Sequence, residues 1–145
     1  MPLNPDTQLA PDLRTVITRL VKKLRKESVT GQQLSLTERS SMALLQQHKE
    51  LQPGELASME KITNQSMSQI LNYLLEVGYI SRRTSEADKR KVFISLTEAG
   101  EKTLLQMRSE RDQWLSKALR ETCTAEELAS LRQAIGVLTK LVDFE

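Results

Sequence analysis

Residues 82–91 carry a dense cluster of cationic side chains. The cations are Arg82, Arg83, Lys89, Arg90 and Lys91, and the carboxylates among them are Glu86 and Asp88. The whole chain has a net charge of only +2, so the cluster makes a local positive field that the average charge does not show. Guanidinium and ammonium groups placed this densely are suited to hold phosphate oxygens. We interpret Asp88 as structural, with its carboxylate orienting Arg90 or Arg83 through a charge-assisted hydrogen bond.

The cationic cluster falls on a predicted β-hairpin. Residues 79–84 and 92–96 have strand character, and Lys89, Arg90 and Lys91 lie at the tip between them. A charged hairpin joined to a helix-turn-helix pattern is typical of an arm that touches nucleic-acid backbone.

Three helices are predicted in the first part of the chain. Apolar residues at helical spacing predict the first helix over residues 13–24. Thr37 is expected to cap the second helix. Pro53 ends that helix and suits the first position of a short third one.

The fourth helix is predicted over residues 64–77, with Thr63 as its N-cap and Gly78 as its left-handed end. After the hairpin, Thr97 is expected to start a long helix, and a capping box at residues 124–127 opens the last one. The predicted fold class is mainly α-helical with a small β-hairpin wing. It is a winged helix-turn-helix with four helices before the wing and two after it.

The helices at the two ends of the chain carry more apolar surface than a small central module can cover. Apolar stripes run along residues 13–26 and 101–143. Burying one leucine side chain is worth roughly 1.5–3 kcal/mol, so these stripes predict that a second copy of the chain covers them. A two-fold dimer would also present paired helix-turn-helix units to a palindromic site.

Chemistry other than binding finds little support in the sequence. His48 is the one histidine and Cys123 the one cysteine, so a zinc site, a nucleophile–base pair and an intramolecular disulfide are not expected. We interpret Cys123 as inert, because no neighbour in sequence would activate its thiol. No enzymatic activity and no cofactor are expected. The longest apolar run, residues 42–45, has four residues, so no membrane association is expected either.

Five short motifs follow one another along the chain. They are Leu36-Thr37-Glu38, Glu55-Leu56-Ala57, Leu74-Leu75-Glu76-Val77-Gly78-Tyr79-Ile80 leading into Arg82, Asp88-Lys89-Arg90, and Leu96-Thr97-Glu98-Ala99-Gly100. With these motifs in this order, nearly the whole chain resembles the MarR family of bacterial transcriptional regulators. The Asp-x-Arg motif followed by Leu-Thr-Glu-x-Gly is the specific part of the match.

The resemblance implies a single domain over residues 9–143, with a helix-turn-helix at 53–78 and a wing at 79–97. Residues 9–30 and 100–143 would be helices that interlace in a homodimer bound to a pseudo-palindromic duplex site. Many relatives repress transcription and release DNA when a small, often aromatic or phenolic, molecule binds between the two regions. The sequence assigns no residue to such an effector. The implied location is the cytoplasm of a bacterium or archaeon, at the nucleoid.

The resemblance also assigns the contacts. The helix from Thr63 would enter the major groove, and Arg90 would approach the minor groove or its phosphates. The residues expected on base edges are Thr63, Asn64, Gln65, Ser66, Ser68, Gln69 and Asn72, and those expected in the wing are Arg82, Arg83, Asp88, Lys89, Arg90 and Lys91. Glu76 is the one charged residue from 63 to 77. Base reading should therefore use neutral hydrogen bonds, with attraction from the wing and from Arg39, Lys49 and Lys61.

Two alternatives stay open at this point. A winged-helix module that binds protein could use the hairpin as a docking surface, without sequence-specific DNA binding. The polar row of the fourth helix and the hairpin cations could also be ordinary solvated surface. Titration with duplex DNA at low salt separates these interpretations.

Overall fold

Six α-helices and three short strands succeed one another in the computed structural model, which describes residues 7–145. The helices are α1 Leu9–Glu27, α2 Leu36–His48, α3 Pro53–Glu60, α4 Asn64–Glu76, α5 Glu98–Thr122 and α6 Ala125–Val142, with a 3-10 turn at Gly31–Gln33. The strands are β1 Glu50–Leu51, β2 Ile80–Thr84 and β3 Val92–Leu96. This order confirms the predicted winged helix-turn-helix architecture.

Local capping chemistry sets the bounds of the helix-turn-helix. Pro53 occupies the first turn of α3, where its missing N–H has no helical partner to lose. The Thr63 hydroxyl accepts a hydrogen bond from the Ser66 N–H at 3.1 Å and so caps α4. Gly78 adopts φ +82° just after α4, a left-handed conformation that glycine takes without strain.

Two helix starts differ from the sequence-based expectation. The cap predicted at Thr37 is wrong, because Ser35 caps α2 in a capping box with Glu38. The Ser35 hydroxyl accepts a hydrogen bond from the Glu38 N–H at 3.1 Å, and Glu38 Oε1 accepts one from the Ser35 N–H at 2.7 Å. Helix α1 begins at Leu9, ahead of the predicted start, because Pro11 falls in its first turn where proline is tolerated.

The sheet has one strand more than the predicted hairpin. Its order is β1-β3-β2, with both pairs antiparallel. Strand β1 has two residues, with Glu50 opposite Ser95 and Leu51 opposite Ile94. A two-residue strand is too short to show the alternation by which strands are predicted, so only its pairing partner defines it.

The core lies between α2, α3, α4 and the inner face of the sheet. Met42, Leu45, Leu56, Leu74 and Ile94 have at most 1% of their surface exposed. Burial of each such side chain contributes about 1.5–3 kcal/mol, and this contribution holds α4 against the sheet.

The base of the wing is fastened to both neighbouring helices. The Thr97 hydroxyl donates a hydrogen bond to the Gly78 carbonyl at 2.6 Å, and the Thr97 N–H donates one to the Tyr79 carbonyl at 3.1 Å. A Cβ at Gly100 would lie 2.1 Å from the Tyr79 carbonyl oxygen. Only glycine therefore allows the first turn of α5 to approach the end of α4 this closely.

Helices α1 and α6 bury no residue within the described chain. Val16 of α1 is 58% exposed and Ile135 of α6 is 63% exposed. Apolar side chains on these two helices are thus open to a further partner. Within residues 7–145, no helix combines the length and apolar character that crossing a bilayer requires.

Candidate nucleic-acid interface

One face of α4 is apolar and buried, and the other is polar and exposed. Met67, Leu71 and Leu74 point into the core. The residues predicted to read bases are all exposed: Thr63, Asn64, Gln65, Ser66, Ser68, Gln69 and Asn72. Within this set Gln65, Ser68, Gln69 and Asn72 follow the i, i+3, i+4, i+7 spacing of a single helix face. That face carries amide and hydroxyl groups and no charge.

Two of the predicted base-reading hydroxyls also bond to each other. The Thr63 hydroxyl donates to the Ser66 hydroxyl at 3.0 Å while it accepts from the Ser66 N–H. Ser66 keeps its own hydroxyl proton free to donate outward. The first turn of α4 therefore presents a preorganised donor at its exposed end.

The wing tip is ordered by short-range hydrogen bonds. The Ser85 N–H donates to the Lys91 carbonyl and the Lys91 N–H to the Asp88 carbonyl, both at 2.9 Å. The Asp88 N–H donates to the Ser85 hydroxyl at 3.2 Å. Lys89, Arg90 and Lys91 are exposed around this frame, so the cationic tip has a defined shape.

Asp88 holds Arg90, one of the two partners that the sequence left open. The Arg90 Nε donates to Asp88 Oδ1 at 3.1 Å and its Nη2 to Oδ2 at 3.4 Å. These bonds, and a further one from the Arg90 backbone N–H, hold the pKa of Asp88 below its ordinary value. The carboxylate therefore stays ionised and keeps the guanidinium oriented.

Arg82 and Arg83 lie on opposite faces of β2, as successive strand residues must. Arg82 is paired with Ile94 in the register and lines a cleft of about 90 Å³ together with Ser68 and Asn72 of α4. Arg83 is paired with Phe93 and points to the other side, toward Glu50. The structure thus places Arg82, and not Arg83, beside the polar face of α4.

Of the three cations outside the wing that were predicted to attract DNA, one is buried. Arg39 is only 8% exposed, because its side chain lies between α1, α2 and α5. Lys49, between α2 and β1, and Lys61, directly after α3, are exposed. The expectation that Arg39 attracts DNA is therefore wrong.

Arg39 instead faces a cleft of about 500 Å³ between these three helices. Its Nε and Nη2 are buried and have no hydrogen-bond partner among the described residues. Burial lowers the pKa of Arg39, and the nearby Arg25 and Arg111 lower it further. No sequence pattern singles out these three arginines, because they come from three helices.

Among the described residues, no group of three or more His, Cys, Asp and Glu side chains could hold a metal ion. The surfaces that can bind a partner are the α4 face, the wing, the arginine cleft and the exposed apolar side chains of α1 and α6.

A helix-turn-helix followed by a charged β-hairpin defines a winged-helix DNA-binding protein. Residues 34–92 match the model of the MarR family. Over 141 residues the chain is 30% identical to the HTH-type transcriptional regulator Mb0904 of Mycobacterium bovis, and the match covers 97% of both chains. The chain belongs to the MarR family of transcriptional regulators, which are DNA-binding regulators and not enzymes.

Solved structures share this fold over almost the full length. A transcriptional regulator protein from Pseudomonas aeruginosa is 30% identical with a TM-score of 0.82, covering 99% of this chain and 100% of that one. A point mutant of MepR from S. aureus, solved bound to an oligodeoxyribonucleotide, is 18% identical with a TM-score of 0.72 and covers 92% and 97% of the two chains. The resemblance inferred from the five motifs is confirmed, and DNA binding is favoured over the protein-docking alternative.

Proposed function

We propose that this protein represses transcription as a homodimer in which each protomer presents α4 and the wing to one half of a pseudo-palindromic duplex site. The observation that carries the proposal is an uncharged hydrogen-bonding face on α4 beside a cationic wing. The α4 face reads base edges in the major groove, while Lys89, Arg90 and Lys91 hold phosphates or enter the minor groove. MepR, which shares the fold, was solved with an oligodeoxyribonucleotide. The site of action is the bacterial or archaeal nucleoid in the cytoplasm.

The proposed dimer rests on the uncovered surface of the terminal helices. Leu20 of α1, Leu119 of α5 and Ile135 of α6 line a groove of about 510 Å³ with mostly apolar walls. Exposed apolar surface of this extent marks an interaction site. A second copy offers the same groove and helices in return, so a two-fold arrangement covers both at once. The interlacing helices are those of residues 9–30 and 100–143.

The test combines selection of a duplex with measurement of the complex. A random duplex library is enriched on the purified protein, and the enriched sequence is titrated by fluorescence anisotropy at several salt concentrations. We expect an inverted repeat, bound at least about 10³-fold more tightly than random duplex by two chains per duplex. Binding that does not distinguish the enriched from the random duplex, or a complex with one chain, contradicts the proposal.

We propose further that a small anionic molecule with an apolar body occupies the arginine cleft and releases the DNA. Arg39 lines this cleft with Arg25 and Arg111, and its Nε and Nη2, buried at the cleft wall, have no hydrogen-bond partner among the described residues. A buried guanidinium without a partner is costly, and an anion that accepts its hydrogen bonds removes that cost. Ile17 and Leu36 give the same cleft apolar walls. An aromatic acid satisfies both features.

Benzoate and its uncharged counterpart benzamide test the effector site. We expect benzoate to bind in calorimetry and to lower DNA affinity, benzamide to do neither, and Arg39→Gln to abolish the response while keeping DNA binding. Equal responses to the two probes, or an unchanged response in Arg39→Gln, contradict this site. Thermal melting of Arg39→Gln controls for folding.

A further inference from the structure

We propose that Glu50 of β1 positions the wing by holding Arg83, so that Arg83 acts as a positioning residue and not as a phosphate contact. The inference rests on the proposed function and assigns a role inside its DNA-binding surface. It separates Arg83 from the other wing cations, with which the sequence grouped it.

The contact spans all three strands of the sheet. The Arg83 Nε donates to Glu50 Oε1 and its Nη2 to Glu50 Oε2, both at 3.1 Å. The Arg83 Cζ lies 4.8 Å from the centroid of the Phe93 ring. The guanidinium of β2 is therefore forked onto the carboxylate of β1 while it lies against an aromatic ring of β3. The hydrogen bonds from Arg83 to Glu50 also raise the pKa of Arg83.

The fork ties the wing to the segment between α2 and α3, which joins the sheet through very little backbone. Strand β1 pairs with β3 over two residues only. Residue Lys49, directly before Glu50, has φ 68° and ψ −55°, a conformation that is strained for a side chain larger than glycine. Strained backbone persists where its surroundings hold it. Leu51 of β1 is buried in the core opposite Ile94, and the fork between Glu50 and Arg83 is a second side-chain contact that holds this segment against the wing.

The charges around the wing also favour a positioning role for the pair of Glu50 and Arg83. A carboxylate beside a DNA-binding wing repels phosphates, so Glu50 is unfavourable for binding unless it has another role. Its pairing with Arg83 leaves no net charge for attraction. The Arg90–Asp88 pair differs, because its partners are two residues apart and move with the tip, and the Arg90 side chain is 91% exposed against 56% for Arg83.

The sign of the effect of Glu50→Ala on DNA affinity tests the proposal. The control is Glu86→Ala, which removes an exposed wing carboxylate that has no ion pair among the described residues. We expect Glu86→Ala to leave affinity for the enriched duplex unchanged or slightly higher. Glu50→Ala should weaken it about two- to five-fold, the range of an exposed ion pair, and should not change the salt dependence. Arg83→Ala should weaken binding at least as much as Glu50→Ala, because it leaves the Glu50 carboxylate unpaired beside the DNA, and the double variant should bind no more weakly than Arg83→Ala.

Amide hydrogen exchange in Val92–Leu96 is measured on the free protein in parallel. Exchange should accelerate in Glu50→Ala and Arg83→Ala and return to normal when Glu50→Arg is combined with Arg83→Glu. If Glu50→Ala binds DNA as tightly as Glu86→Ala, or exchange is unchanged, the proposal is overturned. If neither the wild-type protein nor any variant binds duplex, the proposed function is wrong. The exchange rates then still show whether the contact between Glu50 and Arg83 stabilises Val92–Leu96.

Discussion

A single oxygen of Asp88, Oδ1, accepts hydrogen bonds from both the backbone N–H and the Nε of Arg90, each at 3.1 Å. Because the two residues are neighbours on one turn, the geometry of the tip does not depend on distant packing. The Arg90 side chain remains 91% exposed, so its outer nitrogen is oriented toward solvent and available to a phosphate.

Arg90→Ala is expected to weaken binding to every duplex, whatever its sequence. Each phosphate contact that is lost should reduce the slope of log affinity against log salt by about 0.9. Anisotropy titrations at several salt concentrations measure the slope. Lys140→Ala, which removes the same charge from α6, should leave the slope unchanged. A loss confined to the enriched duplex would show that Arg90 reads bases.

The order of the wing tip should fall at low pH. Hydrogen bonds from the side chain and backbone of Arg90 depress the pKa of Asp88 below its ordinary value of 3.8. A depressed pKa means that the stabilisation is fully present above pH 3.8 and is lost as pH falls through the folded-state value. The Arg90 Nε–H resonance in an NMR titration reports the loss. Asp88→Asn should remove this pH dependence, and persistence of the dependence would assign it to another group.

Gln69→Ala is expected to relax base preference without a general loss of affinity. Gln69 is exposed on the uncharged face of α4, and a bidentate amide contact discriminates by roughly 1–3 kcal/mol per base pair. Repeating the library enrichment with the variant shows which position loses its preference. Affinity for random duplex is the control and should not change. An equal loss on both duplexes would assign Gln69 to backbone contact.

Gly100→Ala is expected to destabilise the fold by about 1–3 kcal/mol. The added Cβ would lie 2.1 Å from the Tyr79 carbonyl oxygen, so α5 must shift away from the wing base. Gly54→Ala is the matched control, since a Cβ there meets nothing within 4 Å, and it should be neutral or stabilising. Denaturant unfolding measures both. Equal stabilities of the two variants would mean that α5 can shift away from the Tyr79 carbonyl without loss of folding free energy.

Ile135→Asp is expected to convert the dimer to a monomer and to lower operator affinity with it. The side chain is 63% exposed on α6 and lies in the apolar groove with Leu20 and Leu119. Burying two unpaired carboxylates at a two-fold interface is strongly unfavourable. Analytical ultracentrifugation measures the mass. Met59→Asp, at an exposed apolar position on α3, should remain dimeric; a dimeric Ile135→Asp would place the interface elsewhere.

Local sequence was sufficient for most of the architecture. Thr63, Pro53 and Gly78 marked the bounds of the helix-turn-helix, and residues 88–90 identified the wing tip. These signals act through hydrogen bonds and backbone preferences between residues two to four apart, so they can be recognised in a short stretch of chain. The cap of α2 was misplaced because Thr37 and Ser35 are both suitable capping residues, and only the backbone conformation selects Ser35.

Side-chain roles that depend on contacts between distant residues could be assigned only from the tertiary structure. Arg39 looked like a surface cation, yet packing against α1 and α5 buries it in a cleft with two other arginines. The sequence groups Arg83 with the other wing cations, and it does not show that the Arg83 guanidinium is hydrogen-bonded to Glu50, 33 residues away in sequence. Strand β1 exists only through its pairing with β3. Burial and cross-strand pairing join residues tens of positions apart, and no local pattern records which of them will meet.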